Sequence, residues 1–268
     1  MGSGMMQDTT TIYRNLLSKR VPAPHMCSAA GWGILARPAA PRAEPEASAL
    51  RVCALTSYGV GLAALRALAD LSAANPAELA VVGVATDDAL DPGARIGRRK
   101  RIWSHLSDTR IEELQADVAD VALSCAPWLW TGDVKTAAFR TLLAEAQPDL
   151  IVCCCFGQKL DEPLLRTPRL GAVNLHPSDL SAGHGAGYEP HVDAHTRNID
   201  TSIWSAHMMT EAIDAGPVIA TSDPVPVRDA TGAIPHTPDA YYAMMWPALA
   251  DFAPRVVSQL REQAPVPA

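Results

Sequence analysis

Apolar positions along this chain fall into short uninterrupted runs that alternate with segments of helical spacing. Three apolar runs, at 50–56, 78–85 and 149–157, predict strands buried on both faces of a sheet. Helical spacing predicts helices over about 62–73, 108–119 and 133–146, and a further short strand is predicted at 121–126. The alternation favours an α/β, Rossmann-like fold, with a mostly parallel twisted sheet and helices on both faces.

The same pattern divides the chain into three parts. Residues 1–49 have no sustained period and are rich in Pro, Ala and Ser, which predicts a mobile N-terminal arm. Residues 50–225 contain the alternating strands and helices of one α/β domain. Residues 226–268 predict a C-terminal helical extension packed on that domain, with a closing helix near 238–260.

Polar residues gather where the later strands end. In the short predicted strand 171–176, Asn174 and His176 lie on one face at a period of two. Open α/β sheets bind their ligands at the carboxyl ends of such strands. Asp214 follows in a turn just before another predicted strand at 218–222. An amide donor, a histidine and an acid that orients it suit the stabilisation of a tetrahedral oxyanion during acyl transfer.

At these residues the sequence resembles the folate-dependent formyltransferase family. The motifs that carry the resemblance are Asn-x-His-Pro-Ser at 174–178, a glycine-rich loop, and Asp-x-Gly-Pro at 214–217. The resemblance covers residues 50–225, which it makes the formyltransferase catalytic domain. It implies that Asn174, His176 and Asp214 are catalytic, and that 10-formyltetrahydrofolate is the co-substrate. It also implies a set of folate-binding residues: Phe156, Gly157, Gln158, Leu160, Met209, Glu211 and Ala212.

The acceptor follows less directly from the resemblance. We expect the amine or hydroxylamine nitrogen of a small molecule, with an N5-hydroxyornithine-type siderophore precursor preferred and a nucleotide-linked amino sugar as the alternative. The first strand-to-helix turn, Ser57–Gly61, lacks the Asn with which glycinamide ribonucleotide enzymes hold the acceptor's phosphate. The sequence after Ser222 is too short for the C-terminal barrel of methionyl-tRNA formyltransferases.

Charge and hydropathy limit the kinds of partner that the protein is expected to bind. The formal net charge of −7 argues against broad nucleic-acid binding, which needs a basic surface. No apolar run approaches the ~20 residues of a membrane helix, and residues 1–49 lack a secretory signal pattern. Cys153, Cys154 and Cys155 are consecutive in a predicted strand and do not suit a disulfide framework. We therefore expect a cytoplasmic enzyme with no membrane partner, and leave a homodimer open.

A different class of enzyme competes with this interpretation. The segment 59–64, Gly-Val-Gly-Leu-Ala-Ala, matches the dinucleotide-binding fingerprint, and Asp87 and Asp88 stand where a ribose-binding acid belongs. These features favour an NAD(P)-dependent oxidoreductase. The competing explanation is that glycine in a tight turn allows close packing.

Two further clusters have alternative explanations. The basic run Arg95–Arg101 is either a solvated loop or a contact for the acceptor, and both stay open. His191 and His195 have the spacing of a helical zinc pair, but no third ligand is evident. No metal site is predicted.

Overall fold

A computed structural model of the chain describes Leu17 and residues 25–27, 33–87, 106–187 and 189–263. The described elements alternate as the sequence predicts. The strands are β1 His25–Cys27, β2 Gly33–Ala36, β3 Leu50–Thr56, β4 Leu79–Thr86, β5 Leu129–Gly132, β6 Leu150–Cys154, β7 Ala172–His176, β8 Thr201–Ser202, β9 Ser205–Met208, β10 Val218–Thr221 and β11 Val225–Pro226. The helices are α1 Tyr58–Ala74, α2 Asp108–Cys125, α3 Ala137–Ala146, α4 Glu162–Leu165, α5 Pro190–Arg197, α6 Pro238–Met245 and α7 Leu249–Gln263. Asp88 and the basic run Arg95–Arg101 lie outside the described residues.

Nine of these strands form one mixed sheet in the order β1-β2-β5-β4-β3-β6-β7-β9-β10. The five central strands, β5, β4, β3, β6 and β7, are parallel to one another. The flanking strands β1, β2, β9 and β10 pair antiparallel with their neighbours. β8 and β11 form a separate two-stranded ribbon. The α/β, Rossmann-like fold class is confirmed.

Side chains of the central strands alternate between two hydrophobic clusters, one on each face of the sheet. On β3, Val52 and Ala54 belong to the cluster that includes α1, α2 and α7, whereas Cys53 and Leu55 pack in the cluster that includes α3. The cysteines of β6 divide in the same way, because successive strand residues point to opposite faces. Helices therefore cover both faces, and the carboxyl ends of the parallel strands meet at one edge.

Two predicted elements are wrong. The segment 121–126 is not a strand, because α2 continues to Cys125 and the next strand is β5. The buried positions Ile111, Leu114, Val118 and Ala122 are spaced three or four residues apart, as one face of a helix requires. The mobile arm predicted over 1–49 is wrong for Gly33–Ala36, which pairs with β5 and buries Ile34 and Ala36 completely.

The closing helix is also divided. A 3-10 turn at Trp246–Ala248 separates α6 from α7. Leu249, Phe252 and Val256 of α7 are buried in the cluster that contains α1. The C-terminal part of the chain thus packs on the α/β core.

Candidate active site

The site is built where β7 and β9 run side by side. Their antiparallel register places Asn174 opposite His207 and His176 opposite Ser205. Asn174 Nδ2 lies 3.1 Å from His207 Nε2. The two strands therefore bring an amide and two imidazoles to one edge of the sheet, and His207 is 2 % exposed.

A turn after β9 carries Asp214 back over this pair of strands. Asp214 has φ 51°, a left-handed conformation that Asp tolerates better than most residues. A Cβ on Gly216 would lie 1.7 Å from the carbonyl oxygen of Met208, so only glycine allows the turn to cross the end of β9 so closely. Met208 N donates to Pro217 O at 3.0 Å and fixes the crossing. This explains the Asp-x-Gly-Pro motif in backbone terms.

The Asp214 carboxylate is the centre of the site. Its Oδ2 lies 3.3 Å from His176 Nε2, and its Oδ1 lies 3.4 Å from His207 Nε2. Asn174 Nδ2 donates to Oδ1 at 3.4 Å, and Gly187 N donates to Oδ2 at 2.8 Å. Burial raises the pKa of this carboxyl, but the hydrogen bonds from His176 and His207, the His176 charge and the Gly187 N–H together hold it well below its usual range. Asp214 is therefore an anion throughout the neutral pH range.

His176 is surrounded by acceptor oxygens. Its Nε2 lies 3.0 Å from Gly187 O in addition to Asp214. Its Nδ1 lies 2.8 Å from Ser178 Oγ, whose own proton goes to His184 O at 2.9 Å. Nε2 faces two acceptor oxygens, so it is the ring nitrogen positioned to donate, next to the fixed negative charge of Asp214.

A glycine-rich loop closes this side of the site. Gly183, Gly185 and Gly187 all have positive φ. A Cβ on Gly185 would lie 2.8 Å from Ser178 Cβ, whereas one on Gly187 would meet nothing within 4 Å. Gly187 contacts both members of the His176–Asp214 pair through its backbone. The loop therefore reaches the site with its main chain rather than with side chains.

The predicted folate residues after β6 divide into two groups. Phe156 and Gly157 are half-buried on the loop that follows β6, and Gly157 N donates to the Asp87 carboxylate. The side-chain amide of Gln158 makes its hydrogen bonds within the fold: it accepts from Val134 N and donates to Gly132 O and the Asp87 carboxylate. Leu160 is 1 % exposed in the hydrophobic core. The structure therefore places Gln158 and Leu160 behind the loop, supporting it.

The second predicted folate segment follows β9. Met209 is half-buried, and its N–H donates to Ala172 O at 2.7 Å, which ties the segment to β7. Glu211 and Ala212 are exposed, and Ile213 is 71 % exposed although it is apolar. These residues lie on the turn that leads directly into Asp214. In sequence they lie between the glycine-rich loop and Asp214.

The glycines of the dinucleotide-like segment are explained by packing. Gly59 and Gly61 lie in the first turn of α1, one turn earlier than the helix predicted from the sequence. A Cβ on Gly61 would lie 2.8 Å from Cys154 O, and one on Gly59 would lie 2.6 Å from the Trp246 ring. Asp87 is 1 % exposed and accepts from Ser57 Oγ at 3.1 Å and from the Gly157 N–H. The Asp87 carboxylate is therefore engaged in hydrogen bonds within the fold.

The two histidines with zinc-like spacing point to different partners. His195 Nε2 lies 2.7 Å from Pro235 O, and its ring stacks on His236 with centroids 4.8 Å apart. His191 contacts the rings of Tyr241 and Tyr242, which also contact each other. Within the described part of the chain, His, Cys, Asp and Glu side chains form no group of three or more that could hold a metal ion.

His207 is the site residue that the sequence analysis missed. It belongs to a four-residue strand, too short for its alternation to stand out. Its role depends on pairing with β7, a contact between residues 33 positions apart. The available signal was the short alternation of polar and apolar residues over Ser205–Met208, just before the Asp-x-Gly-Pro motif.

The fold and the site define an α/β protein with an Asn–His–Asp centre at the carboxyl edge of its sheet. The sequence profile of the family described as Formyl transferase matches residues 72–232, more than half of the chain. The chain belongs to the formyl transferase family.

Curated relatives cover part of the chain. A methionyl-tRNA formyltransferase from Thermobifida fusca (strain YX) is 31 % identical over 167 residues, which are 62 % of this chain and 49 % of that protein. A methionyl-tRNA formyltransferase from Syntrophus aciditrophicus (strain SB) is 33 % identical over 111 residues, 40 % of this chain and 34 % of that protein. The chain thus spans half or less of the length of these relatives.

Solved structures share the fold. Glycinamide ribonucleotide transformylase 1 from Symbiobacterium toebii superposes with a TM-score of 0.57 at 20 % identity, covering 83 % of this chain and 92 % of that chain. A formyltetrahydrofolate deformylase from Pseudomonas syringae pv. tomato str. DC3000 gives 0.52 at 19 % identity, covering 82 % and 64 %. Among the described residues, no helix has the length and apolar character that crossing a bilayer requires.

Proposed function

We propose that this chain transfers the formyl group of 10-formyltetrahydrofolate to the amine or hydroxylamine nitrogen of a small molecule. The formyl transferase family uses 10-formyltetrahydrofolate as the formyl donor. The observation that carries the proposal is the Asp214 carboxylate between His176 and His207, beside the Asn174 amide. This group of side chains supplies two hydrogen-bond donors and a fixed negative charge at the edge of the sheet where ligands bind.

In the proposed reaction the acceptor nitrogen attacks the formyl carbon directly. The new C–N bond forms, and the carbonyl oxygen becomes an oxyanion that accepts hydrogen bonds from Asn174 Nδ2 and the His176 imidazolium. Collapse of this tetrahedral intermediate breaks the bond to N10 of the folate. The acceptor nitrogen loses one proton and N10 gains one, so the enzyme ends in its starting protonation state.

Asp214 is assigned the role of holding His176 charged and oriented. We also assign removal of the acceptor's proton to Asp214, directly or through water, at the stage where the attacking nitrogen carries a positive charge and a weak base suffices. Ser178 supports the other ring nitrogen of His176. Ser178 thus orients the ring from Nδ1, which leaves Nε2 as the donor to the oxyanion once the substrate oxygen takes the place of the Gly187 O contact.

The folate is proposed to lie between the two segments that flank the site. Phe156 and Gly157 follow β6 and lie near the carboxyl end of β7, because these two strands are parallel. Met209 follows the antiparallel β9 beside the amino end of β7, and the turn through Glu211 and Ala212 leads from there to Asp214. Exposed Ile213 supplies apolar surface next to Asp214. In this arrangement Gln158 and Leu160 support the loop after β6 and need not contact the folate.

For the acceptor, an N5-hydroxyornithine-type siderophore precursor stays our preferred prediction, with a nucleotide-linked amino sugar as the alternative. The curated relatives favour a further candidate, the amino group of methionyl-tRNA. The net charge of −7 counts against a large tRNA interface, because phosphate contacts need clustered cations. Cytoplasmic location and a homodimer likewise stay predictions from the sequence.

The test is a formyl-transfer assay with 10-formyltetrahydrofolate and three acceptors: N5-hydroxyornithine, a nucleotide-linked amino sugar and methionyl-tRNA. We expect folate release and a formylated product with one small-molecule acceptor. Asn174→Ala and His176→Ala should each lower kcat by ~10²–10³ while the protein stays folded. Asp223→Asn, an exposed carboxylate away from these contacts, is the matched control. Unchanged kcat in both alanine variants would contradict the oxyanion assignment.

A further inference from the structure

The helix α1 begins with a buried aromatic residue. Tyr58 is the first residue of the helix, has φ 63° and is 0 % exposed. A bulky aromatic residue rarely adopts this left-handed conformation, so the surrounding structure must hold it there. Its hydroxyl donates to Asp239 Oδ1 at 2.7 Å, a contact between residues 181 positions apart.

Other side chains complete the closure. Trp246 lies against the first turn of α1, close enough that a Cβ on Gly59 would be 2.6 Å from its ring. The N-cap residue Ser57 makes no side-chain cap to the helix. Its hydroxyl instead contacts Cys155 O at 2.6 Å and the Asp87 carboxylate. Ser57, Tyr58, Val60 and Leu62 are at most 3 % exposed, so the first turn of α1 is buried.

This turn lies next to the proposed active site. α1 begins where β3 ends, and its first turn packs against the end of β6, where Cys154 Sγ contacts Val60 O at 3.8 Å. β6 pairs with β7, the strand that carries Asn174 and His176. The first turn of α1 and Asn174 thus lie along the same edge of the sheet, with β6 between their strands.

In open α/β sheets the first strand-to-helix turn is the usual place for a phosphate, because helix amino termini attract anions. Here that turn is buried, its first residue is a tyrosine, and the tyrosine hydroxyl is held by a carboxylate. Burial and the hydrogen bond to Asp239 raise the pKa of Tyr58 well above its usual range, so the hydroxyl remains a donor to that carboxylate. A phosphate at this turn would have to displace the ring and approach the Asp239 charge.

We propose that Tyr58, anchored by Asp239, is a specificity-determining residue that closes the amino terminus of α1 to phosphate. The acceptor group that lies against this turn is therefore neutral or cationic. This inference rests on the proposed function for its meaning, because it describes the acceptor side of the same site. The closure itself is a property of the folded chain and can be measured without any formyl transfer.

The test uses inorganic phosphate and the full chain. Backbone amide signals of Gly59 and Gly61 are followed by ¹⁵N NMR during a phosphate titration, with sodium chloride at matched ionic strength as the reference. In the wild-type protein we expect no shift beyond that caused by chloride. In Tyr58→Gly, where glycine adopts the positive φ without strain, both amides should shift saturably. Tyr58→Phe keeps the ring and should behave like the wild type.

Each contrary result overturns the inference. Saturable phosphate shifts in the wild type would show that the turn is an open anion site. A folded Tyr58→Gly that does not respond, or a Tyr58→Phe that does, would show that the ring is not the closing group. If Tyr58→Gly does not fold, Tyr58→Asn carries the same expectation, because Asn also tolerates this conformation. Failure of formyl transfer leaves these outcomes unaffected, so the two claims are tested separately.

Discussion

Asn174 and His207 face each other across the antiparallel pair β7–β9, with Asn174 Nδ2 3.1 Å from His207 Nε2. Asp214 contacts both of them through the same oxygen, Oδ1. The amide of Asn174 is therefore oriented by the histidine and the carboxylate together. His207 is a positioning residue in this account, and it acts through Asn174 and Asp214.

Replacing His207 with Phe should lower kcat more than it changes the KM for folate, because the Asn174 donor loses its fixed orientation. The change also removes one of the hydrogen bonds that hold the pKa of Asp214 low, so this pKa should rise toward its ordinary value. Steady-state kinetics and the pH dependence of unfolding measure the two effects. If His207 were purely structural, the substitution would lower the free energy of unfolding equally at every pH. That result would contradict the assignment.

The low pKa of Asp214 makes a specific contribution to stability. Because the folded-state pKa lies below the unfolded value of about 3.9, this stabilisation is present above roughly pH 4 and is lost as the pH falls further. Asp214→Asn should therefore lower the free energy of unfolding by about 1–3 kcal/mol at pH 7, with a smaller loss near pH 3. Denaturant unfolding at both pH values checks this, with Asp223→Asn as control. A difference that does not depend on pH would show that the carboxylate's charge is not the cause.

Gly216→Ala tests the close crossing that places Asp214. The added methyl group would meet Met208 O at 1.7 Å, so the turn must move away from β9. We expect a lower melting temperature and a loss of kcat, since the Asp214 carboxylate moves with the turn. Ala215→Ser adds one atom at the exposed neighbouring position and is the matched control. Equal behaviour of the two variants would contradict the backbone explanation of the motif.

Removal of residues 1–45 should destabilise the protein, whereas removal of a mobile arm would leave its stability unchanged. This truncation deletes β2, which pairs with all four residues of β5. It uncovers the edge of β5 and the Trp130 ring that lies against Gly33. We expect a lower melting temperature and aggregation through the exposed edge. A chain that begins at Gly33 keeps β2 and should be closer to the full chain in thermal unfolding; equal stability of both truncations would contradict this.

The sequence was sufficient for four of the five central strands, all except β5, and for three of the four polar site residues. Long apolar runs identify β3, β4 and β6, because parallel strands covered on both faces have no polar alternation. Asn174 and His176 are adjacent on one face through local period-two geometry. Asp214 was found by its motif, and the structure supplies the physical reason in the approach of Gly216 to Met208 O.

The missed features depend on contacts that are distant in sequence. β2 and β9 have four residues each, too few for a clear periodic pattern. Each becomes recognisable as a strand only through its pairing, β2 with β5 and β9 with β7. The strand predicted at 121–126 failed for a local reason, since the helical spacing that begins at Ile111 continues through Ala122. The closure of α1 by Tyr58 depends on Asp239, far along the chain, and no local pattern shows it.

The most direct test of the central claim is calorimetric titration of the purified chain with a stable 10-formyltetrahydrofolate analogue and, separately, with NAD and NADP. This measurement needs no knowledge of the acceptor. A formyltransferase with this site should bind the folate analogue saturably at one site per chain and show no saturable binding of either dinucleotide. Tight dinucleotide binding without folate binding would contradict the account and favour the oxidoreductase suggested by the glycines of α1.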